Sequence, residues 1–143
     1  MKPAVLIIGA DKGGVGKTTV ARTVLDYLAA KNIPTRAFDA ESPRGTLKRF
    51  HPRQTDIVDI TSTPDQIKIL DTLHSSETKV TVIDVRAGIM SSTLVALRDI
   101  GFFDAVRDGE FTFNPFHVLG ASVTSLDEID EIMPYTTTAP ISR

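Results

Sequence analysis

Cysteine is absent from this 143-residue chain. Its absence excludes disulfides, thiolate zinc sites and cysteine-ligated iron–sulfur clusters. No apolar run approaches the roughly 18 residues that a membrane span needs. The stretch AVLIIGA from Ala4 to Ala10 breaks off at a polar loop and is too short for a signal-peptide core. Neither sign of charge dominates. The formal net charge is −2 and the pI about 5.9, so no global field draws the chain to nucleic acid. His51, His74 and His117 are dispersed, without metal-ligand spacing, and repeats and low-complexity segments are missing. What remains is 41% hydrophobic and 24% charged, a globular composition long enough for one domain with a real core. The cytoplasm is the expected location.

The most informative residues are Ala4 to Thr19, AVLIIGA-DKGGVGKTT. An apolar strand runs straight into a glycine-rich turn, a lysine and two threonines. Gly13, Gly14 and Gly16 permit positive φ and leave the backbone bare, so successive N–H groups, with that of Val15, can converge on phosphate oxygens. The following helix adds its own open amides and a partial positive charge at its N-terminus. Lys17 then reaches the β- and γ-phosphates, the Thr18 hydroxyl joins Mg²⁺ coordination, and Thr19 completes the first turn. The strict phosphate-loop pattern wants glycine at position 11, where this chain has Asp11. That carboxylate must point away from the phosphates or weaken binding.

Downstream, strands and helices alternate. Thr18 to Lys31 carries Val20, Val24, Leu25, Leu28 and Ala29 at helical spacing, closed by Asn32 and Pro34. Thr35 to Ala40 and Thr55 to Thr61 are expected strands, and Pro64 suits the first turn of a helix carrying Ile67, Ile69, Leu70 and Leu73. Val80 to Val85, mostly β-branched, is expected as a central strand. A helix follows from Ser91 to Ile100, then a last strand from Phe116 to Gly120, begun after Pro115, and a helix from Ser125 to Met133. The expectation is α/β, a three-layer parallel sheet flanked by helices, with ligands at the carboxyl ends of its strands. It divides as a nucleotide-binding domain over 1–133 and a polar tail over 134–143. Asp84 ends the VTVID strand, with Gly88 four residues on; a carboxylate there can hold Mg²⁺ beside Thr18. Arg86 reads as a solvated loop residue.

Lys12-Gly13-Gly14-Val15-Gly16-Lys17-Thr18 resembles the deviant Walker A motif of the ParA/MinD ATPase family, which carries a second lysine at the start of the loop. The resemblance spans about residues 3 to 90 and extends loosely to 130. It implies a P-loop NTPase fold of the SIMIBI-like kind, ATP and Mg²⁺ as cofactors, and a nucleotide-sandwich homodimer in which Lys12 reaches the partner's phosphates. Asp84 and Gly88 resemble Walker B. Asp39 matches the first acid of the family's D-x-D, which serves Mg²⁺ and the attacking water. Glu41 stands where the second Asp would be, one methylene longer, which weighs on hydrolysis and not on binding. Without cysteine the chain cannot do the chemistry of the nitrogenase iron protein or the arsenite-pump ATPases that the resemblance would otherwise admit.

The expected function is therefore a slowly hydrolysing ParA-like switch ATPase in plasmid partitioning or DNA mobilisation, with Lys12 and Asp39 in catalytic roles. ATP is preferred over GTP by the resemblance and by the lack of an N/T-K-x-D guanine-reading motif. Two alternatives stand beside it: a non-catalytic nucleotide-binding module, and a P-loop ligase or kinase acting on a small molecule. A partner protein is compatible with the switch. Non-specific DNA contact would fall to the one basic cluster, Arg44 to Arg53 (RGTLKRFHPR). No membrane partner is expected, since PYTTTAPISR from Pro134 is not an amphipathic helix. The family is longer, so a truncated or minimal member is expected.

Overall fold

The computed structural model describes residues 2–40, 45–121 and 123–136. Five strands and six helices follow one another in these segments. They are β1 (Ala4–Gly9), α1 (Lys17–Ala30), β2 (Thr35–Asp39), α2 (Thr46–Phe50), β3 (Thr55–Ile57), α3 (Thr63–His74), β4 (Val80–Asp84), α4 (Met90–Asp99), α5 (Phe102–Arg107), β5 (Thr112–His117) and α6 (Thr124–Thr136). All strands pair in parallel, in the order β3-β2-β4-β1-β5.

β1 and β4 lie at the centre and are apolar on both faces, as a parallel sheet covered from both sides requires. Val5, Ile7 and Ile83 pack with Ile69, Leu94, Leu97 and Phe102 of α3, α4 and α5. Ile8, Val80 and Val82 pack on the other face with Ala21, Leu25 and Leu28 of α1 and Leu47 of α2. The result is an α/β fold of three layers. Phe102, Phe103, Phe111 and Phe113 close the first core with ring centroids 4.9–5.6 Å apart, a spacing typical of edge and tilted aromatic pairs.

Three expectations are corrected. β5 does not begin after Pro115 but runs through it. Thr112 and Val118 donate their N–H groups to the carbonyls of Pro3 and Gly9 (2.9 and 2.8 Å). By the period of two, the nitrogen at position 115 faces the open edge, where a missing donor takes nothing from the ladder and blunts the edge. Secondly, β3 ends at Ile57 and does not reach Thr61, and α2 and α5 form in segments given no element, each held by buried side chains, Leu47 in one and Phe102 and Phe103 in the other. Thirdly, α6 continues through Pro134 to Thr136, crossing the expected start of the tail. Tyr135 packs on Phe103 at 5.2 Å, which keeps the last turn in place. Glu41, Ser42, Pro43, Arg44 and the tail from 137 lie outside the described residues.

The topology has a direct consequence for ligands. The chain leaves β1 through α1 on one face and leaves β4 through α4 on the other, although β1 and β4 are neighbours. Their exits diverge and open a crevice at the carboxyl ends, the place where open α/β sheets take ligands. The turn between β1 and α1 lies there.

Candidate nucleotide-binding site

Gly14 and Gly16 have positive φ (78° and 100°), as expected, whereas Gly13 does not. A Cβ built at any of the three meets nothing within 4 Å, so the inside of the turn is open. Gly16 is also the N-cap of α1 in the left-handed conformation, and neither a side-chain cap nor an acidic first-turn residue serves that end. The first amides of α1 thus have no capping side chain, and the positive end of the helix dipole lies behind them. Gly13, Gly14, Gly16, Lys17, Thr18, Thr19 and Ala87 line a cavity of about 380 Å³, within the range of small-molecule sites.

Lys17 is buried, and its ammonium donates to Asp84 Oδ1 in a short ion pair. Asp84 is fully buried at the end of β4, in register with Ile8 of β1 and Asp39 of β2. Alternation along the strands sends both carboxylates to the α1 face, under the glycine turn. Thr18 is half-buried and Thr19 exposed. Gly88 tightens the roof: its N–H donates to Ala10 O at 2.7 Å, its φ is +79°, and a Cβ there would lie 3.2 Å from Asp11 O. The loop after β4 is thereby fastened to the loop after β1.

Asp11 does not line the cavity. Its Oδ1 accepts a hydrogen bond from Ser125 Oγ at 2.7 Å, and Ser125 Oγ accepts one from Gly120 N at 3.0 Å. Lys12 and Val15 lie on this outer side too, 3.2 and 3.0 Å from where a Gly120 Cβ would stand. Lys12 is exposed. Beneath the corner, His117 bonds Ser125 O through Nε2 at 2.9 Å and lies 3.8 Å from Glu128. Burial pushes the Glu128 carboxyl above its ordinary value; His117 opposes that shift, and the charges of Asp11 and Glu131 add to it. Ser125, Gly120, His117 and Glu128 are the residues that the loop motif does not announce. The one pointer was Asp11 itself, a carboxylate at odds with the expected anion site and so needing a partner outside the glycine-lined cup.

Asp39 is fully buried, and its Oδ2 accepts the amides of Leu47 (2.8 Å) and Lys48 (3.2 Å). It anchors the start of α2 while standing beside Asp84. Glu41 lies outside the described residues. In the basic cluster, Lys48 Nζ is drawn in by the carbonyls of Pro52 (2.8 Å) and Thr55 (2.5 Å). His51 lies 3.3 Å from Asp26. Arg49 and Arg53 are its exposed cations among the described residues.

Larger openings exist elsewhere. One of about 690 Å³ at the α4–α5 corner is lined by Arg98, Asp99, Asp104 and Arg107 among others. These charges neutralise one another in the pairs Arg98–Asp99 and Arg107–Asp104, so the corner offers less for an anion than the smaller glycine-lined cup. Among the described residues, no group of three or more acidic, histidine or cysteine side chains could hold a metal alone, and no helix is long and apolar enough to cross a membrane. Comparison with protein-family models, with curated proteins and with solved structures finds no match to this chain.

Proposed function

We propose that this chain binds Mg²⁺–ATP in the glycine-lined cavity and uses slow hydrolysis as a switch on pairing with a second copy, as in the ParA/MinD ATPases that it resembles. The observation that carries the reading is the Lys17–Asp84 pair, a buried cation and a buried acid meeting under an open glycine turn at the switch point of the sheet. Mg²⁺ is commonly held by one or two carboxylates, with phosphates and water filling its shell. Asp84 and the Thr18 hydroxyl suit that set. The metal would neutralise the charge shared by the β- and γ-phosphates. Lys17 stands between the loop amides and Asp84, so an entering triphosphate offers it a second anion without moving it from the site. The amides from Gly13 to Thr19 and the α1 dipole would orient the phosphates, and Lys12, which is exposed, takes by resemblance the role of reaching a partner copy. Partitioning or mobilisation of DNA is the setting that the resemblance suggests, and Arg49 and Arg53 are the candidate DNA contacts.

A second reading, a nucleotide-binding module without hydrolysis, draws on Asp39. Its Oδ2 holds two α2 amides, a duty that competes with orienting an attacking water. The readings separate by titrating Mg²⁺–ATP and Mg²⁺–GTP, following dimerisation by light scattering and measuring phosphate release. The switch requires ATP binding that fails in Lys17→Ala, ATP-dependent dimers that fail in Lys12→Ala, and slow phosphate release. Dimers without release would favour the second reading. Equal ATP binding by wild type and Lys17→Ala would remove both.

A further inference from the structure

Asp11 presents a physical problem for any anion-binding loop, since it sets a negative charge at the mouth of a cup built for negative charge. Its carboxylate is instead turned outward onto Ser125, the second residue of α6, whose side chain is fully buried. Ser125 Oγ is itself fixed by the N–H of Gly120 at 3.0 Å. Gly120 leaves no room for drift: a Cβ there would stand 3.0 Å from Val15, 3.1 Å from Ser125 Oγ and 3.2 Å from Lys12. The backbone carbonyl of Ser125 is held from below by His117 Nε2 at 2.9 Å. The loop after β5 and the first turn of α6 thus form a brace against the outer side of the β1–α1 turn.

We propose that Ser125 is a positioning residue for the nucleotide: by donating to Asp11 it keeps that carboxylate out of the phosphate cup and sets the loop in its binding shape. This rests on the reading of the loop as a triphosphate site. A hydrogen bond to a charged group is among the stronger single contacts, and its loss here weakens the hold that keeps the charge turned outward.

The test is calorimetric titration of Mg²⁺–ATP into the wild type, Ser125→Ala, Asp11→Asn and the double variant at one ionic strength, with thermal unfolding of each. Ser125→Ala is expected to bind about tenfold more weakly, the equilibrium change of one charged hydrogen bond. Asp11→Asn should stay within about twofold of wild type, and the double variant should recover to about the level of Asp11→Asn, because no charge remains to misplace. Should Ser125→Ala unfold, Ser125→Cys keeps nearly the same volume with a weak donor, and the same loss and rescue are expected. A double variant as weak as Ser125→Ala would overturn the proposal, since a purely structural role gives no rescue by removing a charge. If the wild type binds, Lys17→Ala does not, and Ser125→Ala matches wild type, the brace falls and the nucleotide site stands. No binding by the wild type removes both.

Discussion

Lys17 is assigned two roles that a second substitution, at Asp84, separates. Lys17 lines the cavity, and its ammonium meets the fully buried Asp84. Lys17→Ala therefore removes the proposed phosphate ligand and takes from a buried carboxylate the cation it meets, a change worth about 3–5 kcal/mol in comparable pairs. We expect a marked drop in the urea midpoint, and ATP binding weakened roughly 100-fold by loss of a charge-assisted contact. Adding Asp84→Asn should recover much of the stability and none of the binding. If binding returned with stability, Lys17 would be only a structural partner. Gly14 makes the complementary point. Its φ of +78° is unfavourable for any L side chain, yet a Cβ there meets nothing within 4 Å. Gly14→Ala is thus expected to lose about 1–2 kcal/mol through backbone conformation alone, measurable by denaturant unfolding and without a packing defect.

At the level of elements, the short helix α2 depends on a residue from another element. Its N-cap, Gly45, gives no side-chain bond; the amides of Leu47 and Lys48 are served by Asp39 at the end of β2. Asp39→Ala should destabilise the fold by about 1–2 kcal/mol, as loss of a helix cap does, and hydrogen exchange should speed first in α2. Unchanged exchange there would show that Leu47 burial alone holds the helix. This dependence explains why α2 was not legible in the sequence: five residues carry no periodicity, and the cap lies outside the segment. β1, α1, α3, β4 and α4 were legible to within about a residue or two because local pattern and burial agree in them. β5 was misplaced because Pro115 reads locally as a breaker, while its tolerance depends on which side of the ladder its nitrogen faces. The cup was readable from glycine spacing and Lys17. The brace through Ser125 was not, since nothing local joins positions 11 and 125. Pro115→Val should add an outward N–H to the open edge and increase self-association, seen in light scattering as a rise with concentration.

For the molecule as a whole, the charged groups with displaced proton affinities link distant elements, so stability should depend on pH in an identifiable way. His74, on α3, is bonded to Glu110 in the turn before β5 and to Leu70 O (2.7 and 2.9 Å). The hydrogen bond to Glu110, then that to Leu70, raise its proton affinity above the ordinary 6.5. A raised histidine contributes stability that is complete below 6.5 and is lost as pH climbs through the higher folded-state value. Glu128, at the brace, is raised from 4.5 chiefly by burial, and has the same sign: the folded state is penalised as the carboxyl is forced to ionise above 4.5. Asp59 runs the other way. Its bonds to the Thr61 hydroxyl and amide lower it from 3.8, so its contribution is present above 3.8 and disappears as pH falls through the lower folded-state value. Stability should therefore decline in two steps on the alkaline side, one starting above 4.5 and one above 6.5. Glu128→Gln keeps the shape and removes the charge, so it should abolish the first step and leave the protein more stable than wild type at pH 7. His74→Gln should flatten only the second. Urea unfolding of the three proteins from pH 4 to 9 checks both. A wild-type curve that rises across pH 5 to 8, or a Glu128→Gln variant less stable than wild type at pH 7, would show that the His117–Glu128 attraction outweighs the burial of the acid.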